Sequence, residues 1–214
     1  MDDFDDILAL YSHPSWRVSW DALEARARTR LDGTGQVPPA VRRGQPFHGL
    51  PRLRLWNDPG GMAYEVEPTT WSVFELFTDT WEREPVVREA VWQRTADGDR
   101  VRDAVGSARN QVFLAPTVSV RFGRVPSDEL AEFIREGCAF RLPVAWLSDT
   151  ESVTSDVGSV GFEFFSRDQP PASLRLTWSF DTADDWKPVI EWYYRLQEFL
   201  TTCVATAEIP FATQ

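Results

Sequence analysis

The amino-acid sequence predicts a single α+β domain, residues 1–214, with a mostly antiparallel sheet of about five to six strands covered on one face by helices. Several segments alternate apolar and polar residues with a period of two, which is typical of strands that have one wet face. The chain closes on a long amphipathic helix whose broad apolar stripe requires a sheet face to cover. No internal repeat and no linker divides the chain.

The N-terminal part contains an acidic segment, a helix and a loop. Residues 1–15 carry four Asp and no basic residue. A helix is predicted over Trp20–Leu31, with apolar residues at helical spacing and Ser19 as its N-cap. Residues 32–51 contain Pro or Gly at frequent intervals and are predicted to form one long loop.

The middle of the chain is predicted to hold a hairpin followed by helices. Alternating residues at 52–55 and 62–66 indicate two strands, joined by a turn at Asn57–Gly61. Further along, aromatic residues at helical spacing and turn signals between them predict three helical pieces: Trp71–Trp81, Val86–Thr95 and Arg100–Ala108.

The C-terminal half gives the clearest pattern. Strands are predicted around 117–122, 140–146, 160–164 and 174–180, with a turn at 169–171. A short helix, Asp128–Gly137, is expected to be capped by Ser127. The last helix, Asp185–Val204, is capped by Asp184 and has one apolar half.

The charge of the chain restricts its partners. The net charge of −11 argues against nucleic acid, which requires a basic footprint, and suits either a soluble cytosolic protein or one whose protein partner is basic. Residues 16–54 nevertheless carry eight Arg against three acidic residues, so a basic helix is expected to dock on an acidic body. Neither the acidic N-terminus nor any apolar run indicates export or a membrane span, which predicts a cytoplasmic location and no membrane partner.

The residues that usually carry chemistry are few and scattered. Two Cys, Cys138 and Cys203, lie outside any CxxC, and two His, His13 and His48, lack an identifiable orienting partner. Asp97, Asp99 and Asp103 resemble a cation loop only weakly and are interpreted as a solvated turn and helix cap. No nucleotide, hydrolase or dinucleotide motif occurs. The sequence therefore predicts no catalytic residue, metal or cofactor, and favours a non-enzymatic protein.

One group of polar residues is a candidate recognition surface. If the strand pattern holds, Arg52, Arg54, Arg121 and Arg175 share the wet face of the sheet with Glu65, Glu67 and Glu163. Cross-strand ion pairing is the alternative interpretation of this group. The candidate binding residues are these four arginines together with His48 and Trp56.

Three functional hypotheses follow, in order of preference. The first is a protein-binding protein that acts by surface complementarity, such as an immunity or antitoxin-type inhibitor or a subunit of a larger assembly. The second is a small-molecule binder with an aromatic-lined cavity between the sheet and the C-terminal helix. The third is an enzyme that uses carboxylates and His48. The oligomeric state has no signature in the sequence.

Overall fold

The protein forms one antiparallel sheet of six strands with four helices, in a computed structural model that describes residues 13–32, 51–60, 70–78, 84–108, 110–140, 157–165, 173–178 and 186–206. The strands are Leu53–Gly60 (β1), Thr70–Phe77 (β2), Val86–Gln93 (β3), Val118–Arg124 (β4), Val157–Phe165 (β5) and Ser173–Trp178 (β6). The helices are Pro14–Leu31 (α1), Arg94–Ala108 (α2), Ser127–Cys138 (α3) and Lys187–Thr206 (α4). Their order across the sheet is β4-β3-β2-β1-β5-β6. The predicted fold class is confirmed.

Adjacent residues of β1 belong to two separate cores. Leu55 pairs across the sheet with Phe74 and Phe162, whereas its neighbour Trp56 pairs with Val73. Because successive residues of a strand point to opposite faces, these two sets lie on opposite sides of the sheet. Each set belongs to its own cluster of buried side chains.

The C-terminal helix covers one face, as predicted. Trp192 and Tyr193 of α4 pack edge-on against Phe162 and Trp178, with ring centroids 5.0 and 5.2 Å apart. The helix α3 joins the same core through Leu130. The whole buried stripe of α4 comprises Val189, Trp192, Tyr193, Leu196, Leu200, Cys203 and Val204. Aromatic side chains therefore occupy the interface between the sheet and α4.

The opposite face is partly covered by α1 and α2. Trp20 of α1 stacks on Trp92 of β3 at 5.6 Å, and Val101 of α2 joins the same core. These two helices contact β2, β3 and β4. The sequence predicted a wet surface here, and exposed side chains are found on β6, where Arg175 and Thr177 face solvent. This face is thus apolar on one side of β1 and polar on the other.

Two predictions of helix were wrong. Residues 70–77 and 86–93 form the central strands β2 and β3, and α2 runs without a break from Arg94 through Asp97 and Asp99. Both strands are largely buried on the two faces, so apolar residues occur at odd and even positions alike and the period-two signal disappears. The predicted turn at Asn57–Gly61 was also wrong over its described part, because β1 continues to Gly60.

Two of the three predicted helix caps, Ser19 and Ser127, were wrong as well. The helix α1 begins at Pro14, and the imidazole of His13 caps it by accepting a hydrogen bond from the backbone N–H of Ser15 at 3.2 Å. Ser19 lies inside α1, where its hydroxyl accepts a hydrogen bond from the backbone N–H of Val112. Pro126, without a side-chain cap, precedes α3 in place of the expected Ser127 cap.

Some predictions lie outside the described residues. They concern most of the acidic segment, nearly all of the long loop with His48, the strand at 62–66, nearly all of the strand at 140–146, the turn at 169–171 and the Asp184 cap.

A candidate arginine–tryptophan pocket

A pocket of about 340 Å³ lies where the C-terminal end of α1 meets strands β1, β2, β5 and β6. We name it the arginine–tryptophan pocket, because its lining includes Arg28, Arg54, Trp56, Trp71, Glu163 and Arg175. In the sheet, Glu163 is the direct partner of Arg54 on one side and of Arg175 on the other. Directly paired residues point to the same face, so the three charged side chains form a row along the floor of the pocket.

Trp56 and Arg175 form a layered stack in this pocket. The guanidinium of Arg175 lies 4.6 Å from the centroid of the Trp56 ring, within the range of a cation–π contact. Trp56 is only 7% exposed, and its ring lies against Gly161 of β5. A Cβ at position 161 would lie 2.3 Å from Cζ2 of Trp56, so the absence of a side chain there gives the indole its place.

A second stack of the same kind belongs to α1 and β2. The guanidinium of Arg28 lies 4.5 Å from the centroid of the Trp71 ring. Arg28 also donates two hydrogen bonds to the Glu24 carboxylate, one turn earlier in α1, at 2.7 and 3.2 Å. Among the described tryptophans, Trp71 is the only one that is partly exposed, whereas the others are at most 8% exposed. Two arginines stacked on tryptophan therefore line one pocket.

Arg54 is held by carboxylates beneath the pocket. It donates a hydrogen bond to Asp32, the C-cap residue of α1, and its Nε lies 3.8 Å from Oε1 of Glu75. Asp32 is itself half exposed and lines the pocket. These contacts neutralise most of the charge of Arg54 and connect the floor of the pocket to the end of α1.

A buried ion pair supports this floor from behind. Arg88 is fully buried and donates to Glu75 at 3.0 Å and to the backbone oxygens of Leu31 and Arg30 at 3.0 and 2.6 Å. These carbonyls belong to the last turn of α1, where backbone carbonyl groups have no hydrogen-bond donors within the helix. Burial raises the pKa of Glu75, because lost hydration outweighs the attraction of Arg88 and Arg54. Burial likewise lowers the pKa of Arg88, which still stays protonated.

The structure brings together only part of the predicted binding set. Arg54, Trp56 and Arg175 meet in the pocket, whereas Arg52 lies directly before β1 and does not line the pocket. Arg121 pairs instead with Glu89 at 2.8 Å, in register with Phe74 on the α4 face.

The prediction that all four arginines share one face is therefore wrong for Arg121. The strand β3, which was predicted to be a helix, lies between β2 and β4. Its pairing with β4 determines which side chains of β4 face α1 and α2 and which face α4. His48, Glu65 and Glu67 lie outside the described residues.

Sequence reasoning missed Arg28, Asp32, Asp58, Trp71 and Ser159, which also line the pocket. Arg28 was recognised only as part of a basic helix face, and Trp71 was placed in a helix. The cluster of Arg26, Arg28 and Arg30 at the end of α1 was the available signal. It does not reveal which arginine reaches a tryptophan, because that depends on how α1 docks.

The acidic group at Asp97 has a structural role. Asp97 is fully buried and accepts hydrogen bonds from the Trp92 indole at 2.8 Å, from Arg100 at 2.5 Å and from both the backbone and hydroxyl of Thr117 at 2.6 Å. These contacts fasten the start of α2 to β3 and to the segment before β4. The interpretation of this group as a solvated turn is wrong for Asp97.

Metal-binding geometry is not found in the described ranges, where no group of three or more His, Cys, Asp or Glu side chains is placed to hold an ion. Of the helices assigned within those same ranges, none combines the length and the apolar character of a membrane span. Comparisons of the chain with protein-family models, with curated proteins and with solved structures found no match.

Proposed function

We propose that this chain is a non-enzymatic protein-binding protein and that the arginine–tryptophan pocket is the centre of its recognition surface. The observation that carries the proposal is the pair of arginine–tryptophan stacks in one open pocket. An immunity or antitoxin-type inhibitor and a subunit of a larger assembly are two forms of this function.

The chemistry of the pocket supports this proposal. Trp and Arg are the residue types most enriched among those that dominate binding energy in protein interfaces. Both tryptophans are held in place, Trp56 by its burial and Trp71 by contact with Trp92 at 6.2 Å. A rigid side chain loses little conformational entropy when a partner binds, so more of the contact energy appears as affinity.

Occlusion of the pocket tests the proposal without changing its charge. Ser159 lies on the pocket side of β5, and replacing it by Tyr is expected to fill part of the cavity. Ser119, exposed on β4 and pointing to the α4 face, offers the matched control Ser119→Tyr. The wild type and both variants are used to capture partners from a lysate of the source cells, after thermal melts confirm that each is folded.

The proposal expects one stoichiometric partner that is retained by the wild type and by Ser119→Tyr, and lost by Ser159→Tyr. Equal capture by all three proteins would refute the role of the pocket. Failure of the wild type to retain any stoichiometric partner would refute the protein-binding function itself.

Small-molecule binding is the second candidate, and the pocket volume is the observation that favours it. About 340 Å³ falls at the lower end of the range for ligand sites. This site differs from the predicted cavity between the sheet and α4, where the described side chains pack against one another. A concentration-dependent rise in melting temperature with a metabolite, absent in Ser159→Tyr, would support this candidate.

A further inference from the structure

We infer that the group entering the arginine–tryptophan pocket is a carboxylate of the partner protein, an Asp or Glu side chain, and that Arg175 is its anchor. This inference rests on the proposed function and specifies the chemistry of the same site.

The stack on Trp56 prepares Arg175 for such a group. Contact with the ring face holds the guanidinium 4.6 Å from the indole centroid and leaves the edge with its N–H donors free to bond in the plane. Trp56 is itself fixed by burial and by its place over Gly161. A planar donor edge held in this way matches the two oxygens of a carboxylate.

The hydrogen-bonding capacity of Arg175 is unused within the described part of the chain. Its cation–π contact is the one interaction it makes there, whereas Arg28 bonds to Glu24 and Arg54 bonds to Asp32. Arg175 is also exposed, so a partner can reach it. It is therefore the arginine of the pocket with donors available for a new acceptor. An ionised carboxylate carries only hydrogen-bond acceptors, which suits a guanidinium whose donors are unused.

The charged side chains that line the pocket balance one another, with Arg28, Arg54 and Arg175 against Asp32, Asp58 and Glu163, whereas the whole chain carries −11. Arg28 and Arg54 are already bonded to Glu24 and Asp32, so Arg175 is the cation that an entering carboxylate would meet. The basic partner predicted from net charge concerns the surface as a whole, and the acidic group concerns this pocket. Glu163, the direct neighbour of Arg175 across the two strands, carries the same charge as an entering carboxylate and repels it, so removal of this charge should strengthen binding.

The test uses a capped peptide of alternating Glu and Gly residues and its counterpart with Gln in place of Glu. Binding to the full chain is followed by NMR through the Trp56 indole N–H and the Arg175 Nε–H signals, which are assigned with Trp56→Phe and Arg175→Lys. Saturable shifts are expected with the Glu peptide and not with the Gln peptide. Arg175→Gln should weaken binding by about tenfold or more, as expected for a hydrogen bond to a charged group.

Two variants make the test specific. Arg175→Lys keeps the charge but lacks the planar donor edge and should also weaken binding, while Glu163→Gln should strengthen it. Equal shifts with both peptides, or binding unchanged by Arg175→Gln, would overturn the inference. Free acetate binding as strongly as the peptide would overturn a protein segment as the source.

The result is separable from the test of the proposed function. If a partner is lost only by Ser159→Tyr but the peptides give no carboxylate-dependent response, the carboxylate inference is overturned and the proposed protein-binding function stands. Capture that does not depend on the pocket removes the proposed function and the inference with it.

Discussion

Replacement of Arg88 by Met is expected to destabilise the protein more than most single substitutions. Arg88 is fully buried and supplies donors to Glu75 and to the carbonyls of Arg30 and Leu31. Met has similar length and fills the space without a polar atom. The substitution therefore leaves a buried carboxylate without its principal partner and two helix-end carbonyls without their donor.

The magnitude follows from those lost contacts. Removing one partner of a buried ion pair costs about 3–5 kcal/mol. Each carbonyl that loses its donor adds about 1 kcal/mol, although neighbouring effects are not strictly additive. We expect a loss of about 4–6 kcal/mol, against a typical total stability of about 5–15 kcal/mol. With a urea dependence of about 2 kcal/mol per molar, the unfolding midpoint falls by about 2–3 M.

Urea unfolding followed by tryptophan fluorescence and circular dichroism measures this loss, and a double variant separates its causes. Glu75→Leu combined with Arg88→Met replaces the pair by apolar side chains and should recover about 3 kcal/mol, leaving the cost of the two carbonyls. A loss below about 1 kcal/mol in Arg88→Met would contradict the reasoning. So would a double variant no more stable than the single one.

Three further predictions concern other parts of the structure. Gly161→Ala places a Cβ 2.3 Å from both the Trp56 ring and the backbone oxygen of Leu176, and it should lower the free energy of unfolding in urea by about 1–3 kcal/mol or more. The substitution should also shift the Trp56 indole signal, and an unshifted signal would contradict the placement of the Trp56 ring against Gly161. Burial raises the pKa of Glu75 in the folded state, so Glu75 contributes most to stability at pH values below its ordinary pKa of 4.5. This contribution falls as the pH rises from 4.5 through the raised pKa of the folded state. The stability of the wild type relative to Glu75→Gln should therefore decline over that window, and a constant difference would refute the shift. A thiol reagent should modify exposed Cys138 in the native protein and reach Cys203 only after unfolding, because burial raises the pKa of Cys203 to about 11; equal rates would argue against the packing of α4.

The order of reliability among the sequence predictions has a physical explanation. The strands β4, β5 and β6 and the helix α4 were predicted correctly, because each has one apolar and one polar side and so shows its own period. The strands β2 and β3 were missed because each is buried on both faces. A segment enclosed on both sides has apolar residues at odd and even positions alike, and its few charged residues, such as Glu75 and Arg88, are buried as well, so no period-two pattern marks it as a strand.

The predictions of binding residues succeeded or failed for a similar physical reason. Arg54, Trp56 and Arg175 were candidates from strand alternation alone, and they do meet in one pocket. Arg121 was assigned to the same face and lies on the other, because the face depends on strand pairing through β3. Alternation within a strand determines which residues share a side of that strand, and pairing determines which sides of different strands coincide.

The sequence by itself therefore determined the class of the fold, the closing helix and the residue types available for recognition, because these depend on local periodicity and composition. The tertiary structure alone decided that helices pack on both faces of the sheet, that Arg88 holds the end of α1, and that arginines from α1, β1 and β6 surround two tryptophans. These features join residues far apart in the chain. Their contacts arise only when strand register and helix docking have brought the segments together, and no local pattern encodes that.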